Sequence, residues 1–326
     1  MTATSYFLTG GSGYIGRNLI RSLTAQGHRV VALARSDDSA ARIEALGAQV
    51  FRGDLLADNL ADGMAGCQVV IHAAADTDHN NQSRSQYQTN VDGTLNVLNS
   101  ARRAGIKKAL YISTESVLLD GQPLHQVSED HPLPRRAIGE YSRSKAAAEK
   151  IALNCADDDF TVVVVRPRFV WGRDDTTALP QLVDAAKSGQ LAWIDGGHYL
   201  TSTTHILNLC AGISSALEHG KNGEVYFITD AEPVEFRQFA TELLATQGMT
   251  APDKSVPLWL LKILAWGGDM ISRLSGGRLR GPVTRQSLAT SAVEVTIDIS
   301  KAKAELNYQP VVSRAEGLAE LEHHSW

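Results

Sequence analysis

Tyr141 and Lys145 place a phenol and an ammonium group four positions apart in a stretch that favours a helix. Side chains at positions i and i+4 lie on the same helical face. A tyrosine has an ordinary pKa of about 10, which is too high for efficient proton exchange near neutrality. A neighbouring ammonium favours the phenolate. The spacing therefore predicts a proton-transfer pair in which Lys145 lowers the pKa of Tyr141.

A second reactive feature is the glycine-rich segment at residues 9–16, in which Gly10, Gly13 and Gly16 recur every third position. Glycine permits a tight turn with positive φ, and it lets a pyrophosphate reach backbone N–H groups. A helix that begins there adds partial positive charge. Asp54, after a later strand, strengthens the interpretation. These residues predict a dinucleotide cradle.

The end of the second predicted strand distinguishes between the two nicotinamide cofactors. A carboxylate at this point binds the ribose 2′-hydroxyl of NAD, whereas an arginine accommodates the 2′-phosphate of NADP. The strand ends at Arg35 and Ser36, and the first acid is Asp37. This favours NADP. NAD stays open, because Arg35 could be an ordinary surface charge or could stack on adenine.

The elements that position these residues alternate between short apolar runs and longer helical patterns, which is typical of βαβ units in a doubly wound parallel sheet. The predicted strands are residues 5–9, 29–34, 49–52, 68–72, 109–113 and 161–166. The predicted helices are residues 14–26, 40–46, 86–104 and 138–154. Nearly continuous apolar strands indicate a sheet covered on both faces.

Beyond about residue 170 the pattern becomes irregular. We predict a dinucleotide-binding domain over residues 1–172, to which residues 204–230 return through a strand at 224–229. Residues 173–326 are predicted to form mainly a helical substrate-binding cap. Within the cap, Trp259 and Trp266 lie in an apolar stretch. That stretch is either a helix buried against the main domain or a lid over an apolar substrate.

Composition narrows the class of protein. The 326 residues carry a formal net charge of -5 without a basic block, which argues against a nucleic-acid partner. Cys67, Cys155 and Cys210 show no metal-binding spacing, so we expect reduced thiols and no metal. No signal peptide or membrane span is evident, and a cytoplasmic protein is expected. The sequence leaves open whether the protein is a homodimer.

Together the motifs resemble those of the extended short-chain dehydrogenase/reductase family along nearly the whole chain. The matching segments are residues 9–16, Asp54-Leu55, residues 72–75, Asn90, Thr114 with Ser113 as the fallback, Tyr141 with Lys145, Arg166-Pro167 and Trp171-Gly172. The resemblance implies a Rossmann-type fold and a catalytic set of Thr114, Tyr141, Lys145 and Asn90. It also implies cofactor contacts from Gly10, Ser12, Gly13, Tyr14, Ile15, Gly16, Arg35, Ser36, Asp54, Leu55, Ala73, Ala74, Ala75, Tyr141, Lys145, Pro167, Phe169 and Val170.

Within that family, residues 165–172 are most similar to the branch of 3β-hydroxysteroid dehydrogenases, 2-alkyl-3-oxoalkanoate reductases and dihydroflavonol reductases. The resemblance implies an NAD(P)-dependent oxidoreductase that interconverts a ketone and a secondary alcohol. Glu115-Ser116 departs from the Asp-Glu pair of sugar dehydratases. Two alternatives remain, a nucleotide-sugar epimerase on the same fold and a non-enzymatic NADP-binding redox sensor.

The expected substrate is largely apolar, such as a sterol or a long-chain acyl derivative. The apolar stretch at residues 257–266 motivates this expectation, since ligand pockets combine apolar walls with few polar groups. A sugar diphosphate would instead need several converging cations. Residues that could supply them are Lys262, Arg273, Arg278, Arg280 and Arg285.

Overall fold

The structure is a computed structural model that describes residues 3–57, 59–77, 84–274, 288 and 292–323. Its strands are β1 (Ser5–Thr9), β2 (Arg29–Ala34), β3 (Gln49–Arg52), β4 (Val69–His72), β5 (Lys108–Ile112), β6 (Leu124–Val127), β7 (Thr161–Pro167), β8 (Val170–Trp171), β9 (Trp193–Ile194), β10 (Leu200–Thr201), β11 (Thr204–His205), β12 (Val225–Ile228), β13 (Val234–Glu235), β14 (Ser255–Val256) and β15 (Val295–Ile297).

The helices alternate with the strands through the first half of the chain. They are α1 (Tyr14–Ala25), α2 (Asp37–Glu44), α3 (Leu60–Gly63), α4 (Arg84–Tyr87), a π-helical turn (Gln88–Asp92), α5 (Gly93–Arg103), α6 (Gly139–Asn154), α7 (Ala178–Lys187), α8 (Ile206–His219), α9 (Phe236–Ala245), α10 (Leu258–Leu274), α11 (Ser300–Leu306) and α12 (Arg314–His323). Short 3₁₀ turns lie at Glu115–Leu118 and Asp195–Gly197.

The main sheet has seven strands in the order β12-β7-β5-β4-β1-β2-β3, and every pairing within it is parallel. Neighbouring residues on β1 belong to two different buried clusters, Phe7 on one side and Leu8 on the other. Strands buried on both faces lose the usual apolar–polar alternation, and this explains their continuous apolar sequences. The doubly wound parallel sheet is confirmed.

The strand predicted at residues 224–229 is observed as β12, which extends the main sheet beside β7. Helix α2 begins three positions before the predicted residue 40. The reason is local, because the Ser36 hydroxyl accepts a hydrogen bond from the Ser39 N–H and Asp37 and Asp38 occupy the first turn. The domain boundary at residue 172 stays a prediction.

The second half of the chain also contributes β structure, including a four-stranded sheet in the order β13-β10-β15-β6. Strand β6 comes from the first half, where the sequence analysis predicted no strand. It pairs with β15, so that Leu124 lies opposite Val295 across a long sequence separation. The two halves therefore share a sheet.

Helix α10 contains the tryptophan-rich stretch. Trp259 and Trp266 are each 64% exposed, whereas Ala265 is fully buried in a small cluster with Leu288 and Ala292. Helix α10 therefore packs through Ala265 and leaves both tryptophans exposed, and the choice between a helix buried against the main domain and a lid stays a prediction. Within the described parts of the chain, no helix is both long enough and apolar enough to span a bilayer.

Candidate active site

The glycine loop between β1 and α1 is closely packed. Gly10 has φ +72°, and a Cβ on it would lie 2.8 Å from the backbone nitrogen of Ala74. A Cβ on Gly16 would collide with the Gly10 carbonyl oxygen. Helix α1 begins after Gly13, which provides no side-chain cap. The first N–H groups of α1 are thus suited to bind an anion.

A cleft of about 890 Å³ runs along the carboxyl edge of the main sheet. Its lining includes most of the residues that the sequence analysis assigned to cofactor or catalysis, namely Gly10, Ser12, Gly13, Tyr14, Ile15, Gly16, Arg35, Asp54, Leu55, Ala73, Ala74, Ala75, Thr114, Tyr141, Pro167, Phe169 and Val170. A dinucleotide fits this donor set, with its phosphates at the glycine loop. The predicted residues Ser36, Asn90 and Lys145 do not line the cleft.

Arg35 and Ser36 differ in their surroundings. Arg35 is exposed at the cleft, whereas the Ser36 hydroxyl donates a hydrogen bond to the Ser39 hydroxyl and caps α2. The nearby acid Asp37 forms an ion pair with Arg52 at 2.6 Å. Of the two residues predicted to contact the cofactor at the end of β2, Arg35 lines the cleft and Ser36 does not.

Tyr141 lies near the start of α6 and is directed into the cleft. Burial raises the pKa of Tyr141 well above its usual value, the carboxylate of Glu115 raises this pKa further, and a hydrogen bond with Thr114 opposes the rise. The phenol therefore holds its proton at neutral pH, which suits a proton donor.

Lys145 lies one turn after Tyr141. Its Nζ donates a hydrogen bond to the Ile112 carbonyl at 2.8 Å and lies 4.3 Å from the centre of the Tyr111 ring. Burial lowers the pKa of Lys145 to about 7, and Glu149 opposes this shift. The prediction that Lys145 lowers the pKa of Tyr141 is not met here, because burial and Glu115 dominate that pKa.

The structure distinguishes between the two candidate hydroxyls after β5. Ser113 also lines the cleft, but its hydroxyl donates a hydrogen bond to Glu149 Oε2 at 2.6 Å. Thr114 Oγ1 donates to Glu115 Oε2 at 2.8 Å and is hydrogen-bonded with Tyr141. The geometry supports Thr114 over Ser113 as the hydroxyl beside the phenol.

Asn90 lies in the π-helical turn, where single-turn irregularities often occur at functional sites. Its Oδ1 accepts from the Asp76 N–H at 2.7 Å, and its Nδ2 donates to the Asp76 carbonyl and to Ser144 Oγ. Ser144 Oγ in turn donates to the Tyr141 carbonyl. Asn90 therefore ties the loop after β4 to helix α6, which carries the phenol.

Residues 6–229 match the description of the NAD-dependent epimerase/dehydratase family. The chain belongs to this family. It is 46% identical, over 97% of this chain and 95% of the relative, to a 4-hydroxy-2-methyl-3-oxo-4-farnesyl-3,4-dihydroquinoline-1-oxide ketoreductase of Stigmatella aurantiaca. It is 31% identical to a decarboxylating sterol-4-alpha-carboxylate 3-dehydrogenase of Dictyostelium discoideum over 97% of this chain and 99% of that protein.

A third relative is a 2-alkyl-3-oxoalkanoate reductase of Shewanella oneidensis, 29% identical over 97% of this chain and 84% of the relative. Among solved structures, gox2253 superposes with a TM-score of 0.79 at 28% identity and covers 99% of both chains. A dTDP-glucose 4,6-dehydratase of Bacillus anthracis, solved with NAD, has a TM-score of 0.74 at 21% identity, covering 98% of this chain and 96% of that one. That last likeness shows the fold alone. The chain is an NAD(P)-dependent oxidoreductase of the epimerase/dehydratase family.

Two buried ion pairs lie at the active site, and neither was predicted from the sequence. Glu149 on α6 accepts from Arg166 Nε at 2.8 Å and also from Arg166 Nη2. Glu115 accepts from Arg168 Nη1 at 2.6 Å. Arg166 lies near the end of β7 and Arg168 directly follows that strand, but only the folded chain identifies which acid each arginine contacts. Glu115 and Arg168 line the cleft.

His72 ends β4 close to the glycine loop. Its ring nitrogens contact Thr9 Oγ1 at 2.6 Å and Thr94 Oγ1 at 2.9 Å. Burial, aided by the charge of Lys145, lowers the pKa of His72 to about 3. A neutral, fully hydrogen-bonded histidine of this kind braces the strand end instead of taking part in the reaction.

Asp230 accepts several hydrogen bonds where the first and second halves of the chain meet, and it was not predicted from the sequence. Its carboxylate accepts hydrogen bonds from Trp171 Nε1, Thr203 Oγ1, the His205 N–H and Asn208 Nδ2. These contacts give His205 and Asn208 a structural role at this junction. The signal in the sequence was weak, because an aspartate after a strand also suits an ordinary turn.

Proposed function

We propose that this protein is an NADP-dependent ketoreductase that reduces a ketone in a largely apolar molecule, with Tyr141 as the proton donor. The observation that carries the proposal is the placement of Tyr141 and Thr114 in the wall of the same cleft as the glycine loop. A proton donor and a dinucleotide cradle that share one cleft are what carbonyl reduction requires.

A reduced nicotinamide held in this cleft would supply the hydride for the carbonyl carbon. The chain's own residues handle the oxygen. As negative charge develops there, Tyr141 donates its phenolic proton to the oxygen to complete the alcohol. Thr114 is hydrogen-bonded with this phenol. Asn90 holds α6 against the loop at Asp76 through its hydrogen bonds to Asp76 and Ser144. Arg35 would bind a 2′-phosphate, which favours NADP over NAD.

The substrate proposal draws on the walls of the cleft and on the named relatives. Phe169, Val170 and Ala178 give the cleft apolar surface. The relatives' names specify a farnesyl quinoline, a sterol and an alkyl chain, all largely apolar. Each name also places an oxide or carboxylate oxygen on an atom two bonds from the reacting carbon. We therefore propose an apolar ketone that carries such a negatively charged oxygen.

Helix α10 contributes nothing to this proposal, because none of its described side chains lines the cleft. Of the cations that might serve a sugar diphosphate, Lys262 is not among the lining residues. The side chain of Arg273, and Arg278, Arg280 and Arg285, lie outside the described residues.

The test is a screen for NADPH oxidation against 2-alkyl-3-oxoalkanoates, 3-oxosteroids and UDP- or dTDP-sugars. We expect turnover of at least one apolar ketone and none with the sugar nucleotides. Calorimetry on the NADP-loaded protein provides a second readout. Tight binding of a sugar nucleotide, without turnover of any ketone, would overturn the proposal in favour of an epimerase.

A further inference from the structure

Glu115 and Arg168 form the only ion pair among the described residues in which both partners line the cleft. Arg168 is 3% exposed, its Nη1 donates to Glu115 at 2.6 Å, and its Nε donates to Thr201 Oγ1 at 3.1 Å. The guanidinium is therefore held in a fixed position by partners from two other segments. Fixed cations of this kind are suited to recognise an oxyanion.

The pair lies close to the reacting groups. Glu115 accepts a hydrogen bond from Thr114 through its second oxygen, and Thr114 is hydrogen-bonded with Tyr141. A continuous chain of contacts thus links Arg168 to the phenol through two intervening side chains. Tyr141, Glu115 and Arg168 line the same cleft, so a substrate whose carbonyl oxygen contacts Tyr141 shares that cleft with the ion pair.

Stability alone gives little reason to keep such a pair. Removing two charges from water is costly, and well-packed apolar residues of similar volume often serve a fold as well or better. The pair of Glu149 and Arg166 lies behind the cleft wall and has Ser113 as a further partner. Glu115 and Arg168 instead place charge in the wall of a cleft proposed to bind an apolar molecule.

We propose that Arg168, held by Glu115, is an oxyanion subsite that binds a negatively charged oxygen carried by an atom two bonds from the substrate's reacting carbonyl carbon. The inference rests on the proposed ketone reduction and assigns that oxygen a partner in the chain. A carboxylate at this position is the favoured group. A guanidinium carries five N–H donors in a planar fork, and this geometry suits the recognition of carboxylates and other oxyanions.

The experiment compares a freshly prepared 2-alkyl-3-oxoalkanoate with its methyl ester, which keeps the ketone and removes the charge. The measured quantity is the ratio of kcat/KM for the acid to kcat/KM for the ester, with NADPH. We expect a ratio above about 10 in the wild type, as befits a hydrogen bond to a charged group. In the double variant Glu115→Gln with Arg168→Gln the ratio should fall to near one.

Two further variants complete the design. The double variant Glu149→Gln with Arg166→Gln removes the other buried pair, and it should keep the wild-type ratio even where overall turnover falls. Arg168→Lys retains a cation and should keep part of the preference. A general loss of positioning affects both substrates alike and cancels in the ratio. If a double variant unfolds, as judged by its thermal midpoint, Arg168→Lys and Arg168→Gln are compared instead.

The outcomes separate this inference from the proposed function. Equal use of acid and ester by the wild type, or a preference that survives Arg168→Gln, overturns the subsite and leaves ketone reduction standing. If NADPH binds but no ketone, charged or neutral, is reduced, the proposed function fails and the subsite fails with it. Preference for the acid that is lost with Arg168 supports both.

Discussion

Tyr141 is the residue on which the proposed chemistry depends most directly. We predict that Tyr141→Phe lowers kcat by about 10²–10⁴-fold while leaving the Kd for NADPH nearly unchanged, because the phenolic proton is needed only in the chemical step. Stopped-flow turnover and cofactor titration measure the two quantities. The exposed Tyr87 provides a matched control, since Tyr87→Phe removes a hydroxyl on the surface. If Tyr141→Phe retained half of the wild-type activity, Tyr141 would not be the proton donor.

Cofactor choice is also a question of single residues. Arg35→Asp should weaken NADPH binding much more than NADH binding, because a partner of the 2′-phosphate is replaced by a repelling carboxylate. Fluorescence titration with both cofactors measures the two dissociation constants. Arg42, an exposed arginine on α2 that does not line the cleft, supplies the control variant Arg42→Asp. Equal losses for both cofactors in Arg35→Asp would point to NAD.

The site residues that belong to a motif could be predicted from the sequence. The surroundings of their side chains in the folded protein could not. The glycine loop, Thr114 and Tyr141 lie together in the cleft as the spacing suggested. The state of the phenol was not predictable. It depends on burial and on Glu115, which only the folded chain brings beside it.

At the scale of elements, the attachment of α6 to the loop after β4 depends on Asn90. Asn90→Asp keeps the acceptor for the Asp76 N–H but replaces the amide donor with an oxygen facing the Asp76 carbonyl and Ser144. We expect a loss of about 1–3 kcal/mol in the free energy of unfolding, together with lower kcat. Urea titration measures the stability. Ser144→Ala removes only one of the hydrogen-bond partners of Asn90 and should lower the free energy of unfolding by less. If Asn90→Asp had the same stability and kcat as the wild type, Asn90 would not anchor α6.

Helix α10 gives a second test at this scale. Because Trp259 is exposed and Ala265 is fully buried, Trp259→Glu should change stability little, whereas Ala265→Glu should unfold the local cluster. Thermal unfolding and KM for a ketone substrate are the measurements. A large rise in KM with Trp259→Glu would instead support the interpretation of this stretch as a lid over the substrate.

The elements divide by how local their determinants are. The main-sheet strands were predictable because most are nearly continuous apolar runs between turn signals. Strand β6 was missed because it is short and is formed by pairing with β15, about half the chain away. The stretch of α10 was predicted only as an apolar part of a mainly helical cap, and its apolar sequence could not reveal which face would stay exposed.

The stability of the whole molecule should depend on pH through His72. Its pKa lies at about 3 in the folded protein against an ordinary value of 6.5, so the unfolded chain binds the proton more readily. The stabilisation is present above pH 6.5 and is lost as pH falls toward 3.

We therefore predict that His72→Gln, although less stable than the wild type at neutral pH, loses stability less steeply on acidification. The difference in slope is at most about 1.4 kcal/mol per pH unit, as for one proton. Urea unfolding across the acidic range measures it, and the exposed His125 supplies the control His125→Gln. Parallel curves for the wild type and His72→Gln would show that His72 titrates normally.

The position of β12 beside β7 also has a consequence for synthesis on the ribosome. Until residues 225–228 emerge, β7 is the outer strand of an incomplete sheet, with backbone groups open to pairing by another chain. Strand β6 waits longer still, for residues 295–297. Nascent chains of this protein should therefore be clients of chaperones that shield unpaired strands until residues 295–297 have emerged.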